Sequence, residues 1–124
     1  MNKQRPIHLA LHLIKLPPSG IVSILHRISG LLLFAALPLL LLMLQYSLRS
    51  IETYTELMDV LRYPLTKLAL AGLLWAFFHH FLAGLRYLAI DLHYLGNLAQ
   101  SRTSSKVVLV VSVALTIYIG VRLW

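Results

Sequence analysis

The chain has 124 residues, of which 59% are hydrophobic and only 12% are charged, and its mean hydropathy is +0.79. Because a soluble domain carries about 25% charged residues, this composition excludes an ordinary soluble protein and indicates a lipid environment. The sequence contains no cysteine, which excludes disulfides, cysteine-ligated iron–sulfur clusters and covalently attached c-type haem within this chain.

The first segment, residues 1–16, is basic and precedes a long apolar run. It has no short apolar core followed by a small-residue cleavage site, so we expect it to be retained rather than removed as a signal peptide. It also lacks the Ser/Arg-rich amphipathic pattern of a transit peptide. The sequence therefore favours the inner membrane of a bacterium over an imported organellar protein.

Two long apolar segments follow, and each is predicted to be a transmembrane helix. The first covers about residues 20–48, with Ser19 as a plausible N-cap and Pro38 inside the span, where a kink is expected. The second covers about residues 64–92 and has an uncharged centre. Neither segment alternates like a barrel strand, so the bilayer's requirement for internal backbone hydrogen bonds predicts helices.

A third transmembrane helix is predicted over about residues 106–124. Its uncharged stretch is shorter than the usual ~20 residues, so Lys106 and Arg122 have to extend towards the headgroups and Trp124 has to lie at the interface. The sequence therefore predicts an all-α, integral membrane bundle of three transmembrane helices, formed by a single domain over residues 1–124.

The basic residues are unevenly distributed between the connecting segments. The segment 49–62 contains three acidic residues against two arginines, whereas five basic residues lie before the first span and around the second connection: Lys3, Arg5, Lys15, Arg102 and Lys106. The positive-inside rule then predicts a cytoplasmic N-terminus and a C-terminus outside. The net charge of +7 is accordingly interpreted as topology and contact with membrane lipid, with no nucleic acid as a partner.

The first helix begins with a cluster of polar residues at headgroup depth. Ser23 and Arg27 are four positions apart and share a helix face, while His26 and Ser29 share a neighbouring stripe. A hydroxyl and a guanidinium on one face can bind the carbonyl end of a quinone. The alternative is that Arg27 only extends to the headgroups and that Ser23 bonds back to its own helix.

The second helix contains adjacent histidines, His79 and His80, followed by Gly84 and, near its end, by Arg86 and Asp91. Ionisable residues inside a membrane are costly and are functional candidates. Adjacent helical residues point about 100° apart, so the two histidines cannot serve one partner.

His80 is the stronger candidate, because Ala76, Ala83 and Gly84 on its stripe could leave room for a flat macrocycle. The alternative is that these small residues form a helix-packing groove across which His80 makes a hydrogen bond. His80 lies about 24 Å along its helix from Pro64, which places it in the cytoplasmic half with the first cluster. A porphyrin bound there could direct its propionates towards His26 and Arg27.

The second axial ligand that a six-coordinate haem needs has no convincing candidate in this chain. His8, His12 and His93 lie outside the spans or at their ends, and His79 points elsewhere. A partner helix is therefore expected to supply it.

Two motifs make the chain similar to a known family. Arg5-Pro6 and the run Ser23-Ile-Leu-His26-Arg27-Ile-Ser29-Gly30 resemble the SxxHRxSG signature of succinate dehydrogenase cytochrome b subunits, and His80-x3-Gly84-x-Arg86-x4-Asp91 resembles their HxxxGxRxxxxD pattern. The resemblance implies that Ser23 and Arg27 contact ubiquinone, that His80 is an axial ligand of the iron of haem b, and that His26 lies by a haem propionate. Members often carry histidine after the arginine of the second motif, where this chain has Tyr87, so no ligand role is assigned there.

The resemblance also implies partners and an activity. The chain would be the haem-binding anchor of complex II, together with a flavoprotein, an iron–sulfur protein and a second small anchor that supplies the other haem ligand. It would not oxidise succinate itself, but would help pass electrons from succinate to ubiquinone. The alternatives are an anchor of a quinol:fumarate reductase, or a cofactor-free helical scaffold or transporter subunit.

Overall fold

The computed structural model describes residues 16–124, and the basic residues and histidines before Leu16 lie outside the described range. Four helices follow one another: α1 (Pro18–Ser47), α2 (Ile51–Arg62), α3 (Pro64–Asp91) and α4 (Leu98–Leu123). The three long helices are long and apolar enough to cross a membrane. The prediction of an all-helical transmembrane bundle is therefore confirmed for the described part of the chain.

The starts of α1 and α3 depend on proline rather than on a polar cap. Pro18 is the first residue of α1 and Pro17 occupies the N-cap position, so Ser19, the expected cap, lies inside the helix. Proline is favoured at the first helical position because its fixed φ suits the helix and its missing N–H has no helical partner there. Pro64 begins α3 in the same way, as predicted, and α1 continues past Pro38.

The connection between α1 and α3 is a short helix and not an irregular loop. Ser50 caps α2, because its hydroxyl accepts a hydrogen bond from the Thr53 amide at 3.2 Å and the Ser50 amide donates to the Thr53 hydroxyl at 3.1 Å. Reciprocal capping of this kind satisfies two amides that would otherwise lack partners at a helix start. The segment between the first two spans is therefore ordered.

The last helix begins at Leu98, eight residues before the expected start at Lys106. The Asn97 side chain accepts a hydrogen bond from the Gln100 amide at 2.8 Å, which caps the helix at its true beginning. With 26 residues, α4 is long enough to span the bilayer, although its uncharged stretch still covers only residues 107–121.

The interior of the bundle is small and unusually polar. Val22 from α1, Ala83 from α3 and Val108 from α4 form its apolar centre, where the three long helices meet. Large apolar side chains instead cover the outside, for example Phe34, which is 77% exposed. This arrangement suits a chain whose outer surface meets lipid or partner helices. Lipid tails are as apolar as leucine, so burial inside the bundle gives such side chains no hydrophobic stabilisation.

Candidate functional site at the α1–α3 interface

The side chain of His80 crosses from α3 to α1 and is held by a main-chain group. Its Nδ1 lies 3.0 Å from the carbonyl oxygen of His26. A carbonyl oxygen can only accept, so Nδ1 has to carry the proton and donate it. The neutral imidazole then has its lone pair on Nε2, which is the atom available to a metal.

The imidazole rings of His26 and His80 are stacked face to face. Their centroids are 4.2 Å apart and their planes differ by 8°. The ring of Tyr87 lies on the same group, with its centroid 5.3 Å from that of His26. His26 from the first polar cluster and His80 from the second therefore meet between α1 and α3.

Glycine at position 30 allows this close approach. A Cβ added to Gly30 would lie only 2.8 Å from Cε1 of His80, which is closer than real side chains come. Gly84 has a looser role, since a Cβ there would be 3.8 Å from Nε2 of His26, an ordinary contact. The backbone of α1 therefore packs directly against the edge of the His80 ring.

Ser29 completes the surroundings of the His80 ring. It is fully buried, and its hydroxyl donates to the same His26 carbonyl at 3.0 Å. Its Oγ is also 3.4 Å from Nδ1 of His80, a longer and weaker contact. The sequence placed Ser29 next to His26 but did not indicate this shared acceptor.

The two alanines on the His80 stripe are packed between helices. Ala76 and Ala83 are both fully buried, and Ala83 belongs to the core with Val22 and Val108. Small residues at these positions let α1 and α4 approach α3 closely. The hydrogen bond of His80 across this groove is the packing arrangement that the alternative predicted.

Ser23 and Arg27 lie one turn apart on the outer side of α1. Arg27 is exposed and Ser23 is half-buried. Among the described residues neither side chain makes a hydrogen bond, so Ser23 does not bond back to its own helix.

His79 is buried away from this site. It is fully inaccessible and stacks on Trp75 with centroids 5.2 Å apart, and neither ring nitrogen has a hydrogen-bond partner among the described residues. It therefore points away from the His26 carbonyl that His80 contacts, as the helical geometry predicted.

Arg86 has a structural role that sequence analysis left open. It is 5% exposed, and its guanidinium donates to the Ser104 hydroxyl at 3.0 Å and to the hydroxyl and carbonyl of Ser101 at 2.9 and 3.2 Å. These bonds join the end of α3 to the early turns of α4. The serines at positions 101, 104 and 105 could have indicated a polar partner for Arg86, but the third helix was predicted to begin only after them.

Two further observations concern ligands. A cavity of about 1040 Å³ lies near the other end of the bundle, lined by residues of α1, α2, α3 and the end of α4, and it contains none of the predicted site residues. Within residues 16–124, no three histidine, aspartate or glutamate side chains converge on a metal site. A haem iron would require only one ligand from this chain, so that observation is compatible with His80.

Comparison with known proteins shows which family the chain is similar to. Residues 1–119 match the family model described as succinate dehydrogenase/fumarate reductase transmembrane subunit. The chain is 38% identical over 125 residues to the succinate dehydrogenase cytochrome b556 subunit of Coxiella burnetii, with both chains covered completely. It is 34% identical over 113 residues to the protein of the same name from Paracoccus denitrificans, covering 91% of this chain and 87% of that one.

Proposed function

Because this chain belongs to the family of succinate dehydrogenase and fumarate reductase transmembrane subunits, we propose that it binds haem b and helps to form a ubiquinone-reduction site. Its relatives indicate a cytochrome b subunit of succinate dehydrogenase, and so a membrane subunit of an oxidoreductase. In this proposal the chain does not oxidise succinate. It receives electrons through the iron–sulfur subunit, which is reduced in turn by the flavoprotein.

The contact between His80 and the His26 carbonyl is the observation that carries the proposal. The 3.0 Å distance requires the proton on Nδ1 and leaves the lone pair on Nε2, as an axial ligand needs. Nε2 makes no hydrogen bond to another described residue, so no competing partner has to be displaced. The residues present therefore fit a haem.

His80 would hold the iron and His26 would contact a propionate. When bound, the haem supplies a centre that accepts and returns one electron at a time. His26 would not hold the same group as a second ligand, because its ring lies beside the His80 ring. The second axial ligand is therefore assigned to a second small anchor subunit.

Ser23 and Arg27 are proposed as the quinone-binding pair. They are one helical turn apart on α1 and flank His26 in the sequence. Arg27 would stabilise the negative charge that develops on a quinone oxygen during reduction, and Ser23 would donate a hydrogen bond to it. The exposure of Arg27 is compatible with a site completed by neighbouring subunits, and the isoprenoid tail of the quinone can stay in lipid.

The orientation is also a proposal. The positive-inside rule places the start of α1 and the end of α3 on the cytoplasmic side of a bacterial inner membrane. The site would then face the compartment in which the soluble subunits reduce quinone.

Substitution of Arg27 tests this function in the intact complex. Arg27→Ala should abolish reduction of ubiquinone by succinate, while reduction of a soluble dye by the flavoprotein and iron–sulfur subunits persists. Arg102→Ala is the matched control, because Arg102 is also exposed but lies on α4. Normal quinone turnover in Arg27→Ala would contradict the assignment, and a purified wild-type complex with no b-type absorption would favour a cofactor-free scaffold.

A further inference from the structure

The main-chain carbonyl of His26 receives more donors than an ordinary helical carbonyl. The Ser29 hydroxyl donates to it at 3.0 Å and the Nδ1–H of His80 donates to it at 3.0 Å. The α-helical pattern adds the amide of Gly30, four residues further on. A carbonyl oxygen has two lone pairs, so these donors compete for it.

From this competition we infer that Ser29 is a positioning residue that sets how strongly His80 donates electrons to the haem iron. The inference rests on the proposed ligation by His80. The Ser29 hydroxyl weakens the carbonyl as an acceptor, so it limits how far the Nδ1–H bond polarises the imidazole. Hydrogen bonds of this kind to the distal nitrogen of a ligand histidine raise its basicity and tune the metal.

The surroundings of Ser29 make the effect local. Its side chain is fully buried, so water cannot substitute for the hydroxyl without a rearrangement. The contact between its Oγ and Nδ1 is 3.4 Å, against 3.0 Å for Nδ1 to the carbonyl. Loss of the hydroxyl therefore removes only a weak acceptor of the Nδ1 proton. The His26 carbonyl, which no longer accepts from Ser29, becomes a stronger acceptor for the same proton.

The direction in which the haem midpoint potential shifts follows from the chemistry of the iron. A more polarised Nδ1–H bond makes Nε2 a stronger donor, which stabilises the ferric form over the ferrous form. Ser29→Ala should therefore lower the midpoint potential of the haem, and Ser29→Cys, with its weaker donor, should lower it by less. Neither change removes a residue that contacts the quinone.

The test is a redox titration of the purified complex, followed by the b-type absorption. Ser112→Ala is the matched control, because Ser112 is also fully buried and donates to the carbonyl three residues earlier at 3.0 Å, but on α4. A lower potential in both Ser29 variants, with Ser112→Ala unchanged, supports the inference.

Other outcomes overturn it. An unchanged or higher potential in Ser29→Ala with haem retained would exclude the tuning role and leave the proposed function intact. An equal shift in Ser112→Ala would assign the effect to general loss of buried polarity. A wild-type complex without haem would instead remove the proposed function itself, so the two failures are distinguishable.

Discussion

The rings of His26 and His80 are stacked with centroids 4.2 Å apart, although 54 residues separate them in the sequence. The stack joins the third turn of α1 to the second half of α3. It is accompanied by a side-chain-to-main-chain hydrogen bond from His80, so the ring of the proposed haem ligand is fixed both in plane and in tautomer.

Gly30→Ala should disturb the haem site. The new Cβ would lie 2.8 Å from Cε1 of His80, so the ring has to shift and its bond to the His26 carbonyl has to lengthen. We expect an altered b-type spectrum or a lower haem content in the purified complex. Gly72→Ala is the control, because a Cβ there meets nothing within 4 Å; equal behaviour of the two variants would argue against the close approach.

Arg86→Ala should destabilise the junction of α3 and α4. The change removes three hydrogen bonds from a buried guanidinium, and a hydrogen bond to a charged group contributes roughly 1.5–3 kcal/mol net. We expect a clearly lower midpoint of thermal unfolding in detergent. Arg86→Lys should recover only part of it, since an ammonium group keeps the charge but cannot present the planar fork.

The control for Arg86 is Arg102→Ala, which truncates an exposed arginine of the same helical junction. Equal thermal midpoints for Arg86→Ala and Arg102→Ala would show that the buried bonds do not stabilise the bundle.

His93→Gly should stabilise the end of α3. His93 has a φ of 64°, in the left-handed region, directly after the C-cap Leu92. Glycine is the preferred residue there, because a side chain in this conformation costs about 1–2 kcal/mol, part of which the greater freedom of unfolded glycine offsets. A small rise in thermal midpoint is expected for glycine and none for His93→Ala; a lower midpoint for glycine would contradict the role of backbone strain.

The positions of the long helices could be predicted because uncharged apolar runs report directly on membrane spans. The start of α3 at Pro64 followed from the same signal and is confirmed. The early turns of α4 were missed because Arg102 and the neighbouring serines were interpreted as a loop. The capping residues Asn97 and Gln100 carried the signal, as Ser50 and Thr53 did for α2.

The candidate site could be predicted only in part. Helical rise along α1 and α3 placed His26 and His80 at one depth, and the structure brings them into contact. The shared use of the His26 carbonyl by Ser29 and His80 could not be predicted, because it depends on how closely α1 approaches α3 at Gly30. A sequence pattern gives spacing within a helix but not the separation between helices.

Haem ligation by His80 is tested most directly by the reduced-minus-oxidised absorption spectrum of the purified complex carrying His80→Leu. His93→Ala serves as the control, since His93 is exposed and lies beyond the end of α3. If His80 holds the iron, the b-type bands are lost or altered in His80→Leu and retained in the control. An unchanged spectrum in an assembled His80→Leu complex would contradict this ligation and move the ligand elsewhere.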